Sequence, residues 1–145
     1  MPDRPDMLTV LDTPVWIWMI EGDRTALSNT AIEAIEEAAG EGAVRVSAIS
    51  VWEVAMLEAK GRISLSRPVD DWVQAALHAP GVRLLPLSPE IAIGSTRLPG
   101  APHGDPADRI LMASARQIGG RIATCDREIL SYSRGGRLKV LNCLP

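Results

Sequence analysis

Aromatic residues and cysteines are scarce in this chain. Its 145 residues include four Trp, one Tyr and no Phe, which leaves few rings for the stacking platforms that read single-stranded bases and disfavours an RRM-like binder. The two cysteines, Cys125 and Cys143, are too few for a disulfide framework, and no C-x-x-C or Cys/His cluster is present to hold zinc. We therefore expect both thiols to be reduced, as in a cytoplasm.

Long apolar runs are also absent. No run approaches the ~18 uninterrupted apolar residues of a membrane-spanning helix, and the N-terminal sequence MPDRPDMLTVLD has acids and prolines where a signal peptide has a basic patch and an apolar stretch. We expect a soluble, cytoplasmic protein. The composition, 46% hydrophobic and 23% charged, fits one globular domain over residues 1–145, with residues 1–7 as a loosely ordered extension.

The charge of the chain is unevenly distributed. Through Asp108, 8 Lys and Arg stand against 16 Asp and Glu, whereas from Arg109 onward the numbers are 7 and 2. Solvated helix faces often produce such a difference on their own. The positive C-terminal third therefore becomes informative only beside a functional site.

Short, almost wholly apolar segments alternate with segments of helical pattern. The predicted strands cover residues 8–11, 44–46, 82–87, 122–124 and 138–141, and the predicted helices cover about 14–20, 29–40, 47–61, 68–78, a segment from 88, 105–118 and a short segment after 126. This alternation is typical of a parallel sheet with helices on both faces. We expect an α/β three-layer sandwich, with functional groups beyond the carboxyl ends of its strands.

Five acids fall where this fold would bring them to one rim. Asp12 and Asp126 follow predicted strands, while Glu53, Asp105 and Asp108 lie in the first turns of helices that start from the same side. Helix N-termini favour ionised carboxylates, whose mutual repulsion calls for a cation. An all-carboxylate site suits Mg²⁺ or Mn²⁺, and such an ion suits phosphodiester hydrolysis.

Helix capping is the competing explanation for several of these acids. Ser50 and Glu53 fit a capping box, and Asp105 and Asp126 fit N-caps. Asp12 is harder to explain in this way, because a carboxylate that closes an apolar strand needs a partner and no turn chemistry requires it there.

Four segments carry a resemblance to a known family. LDTPVWIW, SAISVWEVAMLEAKGRI, HGDPADRILMASAR and IATCDREI resemble PIN-domain ribonucleases, most closely the VapC-type toxins of type II toxin–antitoxin systems. The resemblance runs from Asp12 to about Tyr132. It implies a PIN-like (Rossmann-like) fold and a Mg²⁺- or Mn²⁺-dependent endoribonuclease. It also implies a cognate antitoxin that silences the enzyme, in a homodimer or a toxin–antitoxin hetero-oligomer.

The resemblance also assigns residues. It matches the four family acids of the metal pocket to Asp12, Glu53, Asp108 and Asp126, makes Asp105 an auxiliary acid, and matches small hydroxyl positions to Thr13, Ser50 and Thr124. The implied mechanism has Asp12, Asp108 and Asp126 holding the ion and Glu53 orienting the attacking water as base or ligand, with 5′-phosphate and 3′-hydroxyl products. Pro14 stands where relatives often have His, so any role of that His is absent or moved here.

Further residues are candidates for partner contacts. Arg109, Arg116 and Arg127 are candidate RNA contacts in the positive third of the chain, and His103 is a candidate substrate contact. The four tryptophans are predicted to be core or interface residues, with the exposed edge of the Trp16 and Trp18 segment as a surface for an antitoxin peptide and a homodimer contact.

Two other functions remain open at this point. A phosphorelay receiver domain is also a doubly wound fold with clustered acids and Mg²⁺. This chain, however, lacks the order in which receiver domains carry their acids and a later Lys. A PIN-like domain used only for binding, or for RNA maturation, is the second alternative. The intact set of acids argues against a purely binding role.

Overall fold

Five strands and seven helices alternate along the chain in the computed structural model, which describes residues 4–100 and 104–145. The strands are β1 Thr9–Leu11, β2 Val44–Ser47, β3 Val82–Leu85, β4 Arg121–Thr124 and β5 Lys139–Asn142. The helices are α1 Thr13–Glu21, α2 Asn29–Gly40, α3 Ala48–Ala59, α4 Val69–Leu77, α5 Pro89–Ser95, α6 Pro106–Gln117 and α7 Arg127–Ser133. His103 lies outside the described residues, as do residues 1–3 of the predicted N-terminal extension.

The strands form one parallel sheet in the order β3-β2-β1-β4-β5. This is the order of the first five strands of a Rossmann fold, whereas receiver domains have the order 2-1-3-4-5. The predicted α/β class and parallel sheet are confirmed, and the receiver alternative is wrong. The winding reverses between β1 and β4, so a crevice is expected beyond the carboxyl ends of these two strands.

Alternate residues of the central strands serve two separate hydrophobic cores. Leu11 of β1 and Ala123 of β4 pack in one buried cluster, and their neighbours Val10 and Ile122 pack in the other. Because successive side chains of a strand point to opposite faces, the clusters lie on the two sides of the sheet. Such a sheet, covered on both faces, is the three-layer arrangement that the apolar strands predicted.

The tryptophans divide into core and surface residues. Trp16 and Trp72 are buried and pack edge to face, with ring centroids 4.9 Å apart, which confirms the core prediction for these two. Trp18 is partly buried, and Trp52 is 57% exposed. In the part of the chain described here, no helix has the length and apolar character needed to cross a membrane.

Candidate active site

Asp12 sits at the carboxyl end of β1 and caps α1. Its Oδ1 accepts the N–H of Thr13 at 2.9 Å, and its Oδ2 accepts the hydroxyl of Thr124 at 2.6 Å. The side chain is only 4% exposed. The expectation that no turn chemistry requires an acid here was therefore wrong, because Asp12 is the N-cap of α1. Capping and burial together fix the carboxylate of Asp12 beyond the end of β1, where the winding of the sheet reverses.

Thr124, the last residue of β4, connects Asp12 to Asp126. While its hydroxyl donates to Asp12, the same oxygen accepts the N–H of Asp126 at 2.9 Å. Asp126 caps α7, accepting the N–H groups of Glu128 and Ile129 at 2.8 and 3.1 Å. The capping prediction for Asp126 is confirmed, and the cap also aligns this acid with the end of β4.

Glu53 is held by a hydroxyl pair and not by a capping box. The N-cap of α3 is Ser47, which places Ser50 inside the first turn, so the predicted box between Ser50 and Glu53 is wrong. Instead, the Thr13 hydroxyl donates to Oε1 of Glu53 at 2.6 Å and lies 2.8 Å from the Ser50 hydroxyl. Thr13 has one hydroxyl proton, so Ser50 donates to Thr13 when Thr13 donates to Glu53.

Asp105 and Asp108 start α6. Asp105 is its N-cap and accepts the N–H of Asp108 at 3.1 Å, as the capping prediction expects. Asp105 is exposed, whereas Asp108 is partly buried. The cap therefore orients the first turn of α6 and directs Asp108 toward the ends of β1 and β4.

One pocket, with a volume of about 340 Å³, brings the predicted acids together. Its lining residues are Asp12, Pro14, Trp18, Glu53, Asp108, Cys125 and Asp126. Asp105 is not among them, although its charge acts on Asp108 and Glu53.

Trp18 and Cys125 were not predicted as lining residues of the pocket. Pro14 and Trp18 are four residues apart and share a face of α1, and this spacing could have identified Trp18. Cys125 lies between Thr124 and Asp126, which both follow the end of β4.

Burial and neighbouring negative charges raise the pKa values of three acids in the pocket, Asp12, Glu53 and Asp108. Burial raises the pKa of Asp12 to about 6, with smaller contributions from the charges of Asp126 and Glu53 and an opposing effect of the Thr124 hydrogen bond. Burial and the neighbouring charges, Asp12 first among them, raise the pKa of Asp108 to about 8. The pKa of Glu53 is also raised, mainly by burial. Full ionisation of these acids is therefore unfavourable in the protein alone.

The donor set of the pocket suits a hard divalent cation. All four acids offer oxygen, and like charges that repel one another are stabilised by a shared ion. Among residues 4–100 and 104–145, no three His, Cys, Asp or Glu side chains are already grouped to hold a metal ion.

The three candidate arginines lie at different distances from the pocket. Arg109 and Arg127 directly follow the pocket acids Asp108 and Asp126. Arg116 is eight residues beyond Asp108, which at 1.5 Å per residue is about 12 Å along α6. Arg116 does not line this pocket. Arg109 and Arg127 do not line it either and are its neighbours in the sequence alone.

The strand order and the acidic pocket together define a Rossmann-like domain with a carboxylate site where the winding of the sheet reverses. The family model of the PIN domain matches residues 9–135. The chain also shares 39% identity over 127 residues with Ribonuclease VapC22 of Mycobacterium tuberculosis, covering 87% of this chain and 93% of that protein. The chain belongs to the PIN domain family.

Solved structures agree on the fold. The chain is similar to a chain of VapBC2 from Rickettsia felis bound to a promoter DNA fragment, with a TM-score of 0.68, 14% identity and coverage of 94% of this chain and 99% of that one. It is also similar to a chain of DNA-bound VapBC from Salmonella typhimurium, with a TM-score of 0.63, 18% identity and coverage of 94% and 98%.

Proposed function

We propose that this protein is a metal-dependent endoribonuclease and the toxin of a type II toxin–antitoxin pair. The convergence of Asp12, Glu53, Asp108 and Asp126 on one pocket carries this proposal. The 39% identity to a VapC ribonuclease over most of both chains supports it, as does the likeness in fold to chains of VapBC complexes. The RNA and the antitoxin are proposed partners, and the two free cysteines fit a cytoplasmic location.

The four pocket acids are the proposed ligands of Mg²⁺ or Mn²⁺. When bound, the ion supplies charge neutralisation at the scissile phosphate and lowers the pKa of the attacking water. Asp12 and Asp126 are fixed by their caps and by Thr124, so they offer oxygens in constant positions. Asp108 enters from α6, and the raised pKa of its carboxyl marks it as the acid most in need of a cation.

Glu53 is the proposed base that orients the water. The Thr13 hydroxyl holds Oε1, which leaves Oε2 to accept a proton from a water. Burial raises the pKa of Glu53 and so makes its carboxylate a stronger base near neutral pH. In-line attack by water leaves 5′-phosphate and 3′-hydroxyl ends. Arg109 and Arg127, which follow Asp108 and Asp126 in the sequence, are the proposed phosphate contacts near the pocket, and Asp105 keeps an auxiliary role.

Replacing Thr13 by Val should slow RNA cleavage roughly 10-fold, because a positioning hydrogen bond is lost while shape is kept. The Thr13 hydrogen bond lowers the pKa of Glu53, so its loss raises this pKa. The acidic limb of the kcat/KM profile should therefore move to higher pH. Thr25→Val, which removes an exposed hydrogen bond to Asp23, is the control. An unshifted profile in a folded Thr13→Val protein would remove Thr13 from the positioning of Glu53.

Total RNA is the substrate that tests the proposed function. Cleavage is expected with Mg²⁺ or Mn²⁺, none with EDTA, and none by the Asp12→Asn variant under any of these conditions. Mapping the new ends should give 5′-phosphates. Cleavage that persists in EDTA, or 2′,3′-cyclic phosphate ends, would contradict the metal-dependent mechanism. Co-expression with the protein encoded by a neighbouring small gene should suppress the cleavage.

A further inference from the structure

A second charged region lies outside the acidic pocket and is formed by two adjoining depressions that share Arg116. We name it the distal basic cleft and define it by Arg97, Arg116, Arg137 and Lys139. One depression, of about 300 Å³, is lined by Arg116, Arg137 and Lys139 together with Gly119, Gly120 and Gly136. The other, of about 240 Å³, includes Glu90, Arg97 and Arg116.

The distal basic cleft and the acidic pocket lie at opposite edges of the sheet. Gly120 directly precedes β4, and Lys139 begins β5, whereas Asp12 and Asp126 follow the carboxyl ends of β1 and β4. These three strands are parallel. A ligand that contacts both regions must therefore extend along the molecule for at least the length of α6 between Asp108 and Arg116, about 12 Å.

The distal basic cleft is partly preorganised. A guanidinium N–H of Arg116 donates to the backbone carbonyl of Arg137, which joins the end of α6 to the start of β5. Gly119 and Gly136 have φ values of +66° and +77°, and a Cβ at either position would meet nothing within 4 Å. The floor between the cationic side chains is thus open to a ligand.

The cationic side chains of the cleft are exposed to solvent, although one guanidinium N–H of Arg116 is bonded to the Arg137 carbonyl and the Arg137 guanidinium lies against Gly100. Arg97, Arg116, Arg137 and Lys139 are all exposed, and among residues 4–100 and 104–145 Glu90 is the one carboxylate that lines either depression. Within the described parts of the chain, the ion pairs are Arg4 with Asp6 and Arg24 with Glu36, so none involves the cleft. Four cations against one carboxylate leave a net positive surface that fits a polyanion.

We propose that the distal basic cleft binds the phosphate backbone of the RNA substrate, away from the cut site. This inference rests on the proposed function. The acidic pocket repels a polyanion and has no arginine or lysine among its lining residues, so binding energy for RNA has to come from elsewhere on the surface. A backbone with one charge about every 3.4 Å supplies regularly repeated partners for several cations. An RNA that reaches both regions spans about four nucleotides or more.

Binding measured in EDTA separates this site from catalysis. Fluorescence anisotropy of a labelled single-stranded RNA long enough to span both regions is followed over a salt series. The triple variant Arg116→Gln, Arg137→Gln and Lys139→Gln removes three phosphate contacts. It should lower the slope of log K against log salt by about 2 and weaken binding about 100-fold at about 0.1 M salt. Arg137→Gln with Lys139→Gln keeps the Arg116 bond to the backbone and should lower the slope by about 1.4.

Arg67→Gln with Arg83→Gln is the matched control, because both side chains are exposed and Arg83 lies on β3 at the other end of the strand order. It should leave the slope nearly unchanged. In cleavage assays with Mg²⁺, the cleft variants should lose activity on the long RNA and keep the wild-type rate on a dinucleotide.

Several results would overturn the assignment. One is an unchanged affinity and slope in both cleft variants, and another is an equal loss in the control. A third is RNA binding that is kept while a co-expressed antitoxin no longer co-purifies, which would make the cleft a protein-binding surface. If the wild type cleaves no RNA yet the cleft variants lose RNA binding, the proposed function fails and the RNA site is still supported.

Discussion

Asp12→Asn is expected to reduce divalent-dependent RNA cleavage by roughly 10³-fold or more, comparable to removing a principal electrostatic group from an enzyme site. Asn keeps the shape and can still accept the N–H of Thr13, so the cap of α1 is retained. The variant loses the negative charge of the carboxylate that accepts hydrogen bonds from both Thr13 and Thr124. Initial rates on a defined RNA with saturating Mg²⁺ measure the effect, and circular dichroism checks the fold.

Asp105→Asn is the matched control for this experiment. Asn is as good an N-cap as Asp, and Asp105 does not line the pocket, so a loss of only about 10-fold is expected, at the low end for a residue that acts through a ligand. Asp108→Asn should behave like Asp12→Asn. Equal losses in the Asp105 and Asp108 variants would contradict the proposed division between ligand and auxiliary acid.

Metal-free protein is expected to lose stability as the pH rises from about 4 to 8. The pKa values of Asp12 and Asp108 rise on folding from 3.8 to about 6 and about 8. Over this window the folded protein retains protons that the unfolded chain has released, so the free energy of unfolding falls with pH. Asp108→Asn removes one of these ionisations and should therefore stabilise the chelated protein at pH 8.

At pH 8 and without metal, Asp108→Asn is expected to raise the Tm by roughly 6 °C over the wild type. Asp108 is partly open to solvent, and screening reduces the cost of its ionisation to about 2 kcal/mol. Near pH 4 the two proteins should have similar Tm values, and Mg²⁺ should stabilise the wild type at pH 8 more than the variant. Thermal melts in EDTA measure both effects. A wild-type Tm that rises from pH 5 to pH 8 in EDTA would contradict the repulsion described for the pocket.

The sequence predicted the sheet and the four pocket acids well because these depend on local patterns. Apolar strands and capped helix starts are visible within a few residues, and parallel strands bring their carboxyl ends to one edge. The end of β3 was the main difference in the strands. It was predicted at residue 87, but pairing with β2 stops at Leu85. Pro86 follows and has no N–H to continue the ladder.

Residue patterns alone could not predict the partners of the acids, because these come from distant parts of the chain. Only the family resemblance marked Thr13, Ser50 and Thr124 as small hydroxyl positions near the pocket. Thr13 and Glu53 are 40 positions apart, and Asp12 and Thr124 are 112 apart. A capping template reads only four residues, so it paired Glu53 with Ser50 in place of Thr13. The charge asymmetry was visible in the sequence, but the gathering of Arg116, Arg137 and Lys139 in the distal basic cleft depends on where α6 ends relative to the sheet.

Thr13 contributes its backbone N–H to Asp12 and its hydroxyl to Glu53. A homologous chain with alanine here would retain every acidic position and still leave Glu53 unanchored. If Thr13 positions Glu53 as proposed, the acidic residues alone are not enough to classify such a chain as active or inactive. Residue 13 should be counted with the acids, with threonine and serine as the side chains that keep the hydroxyl.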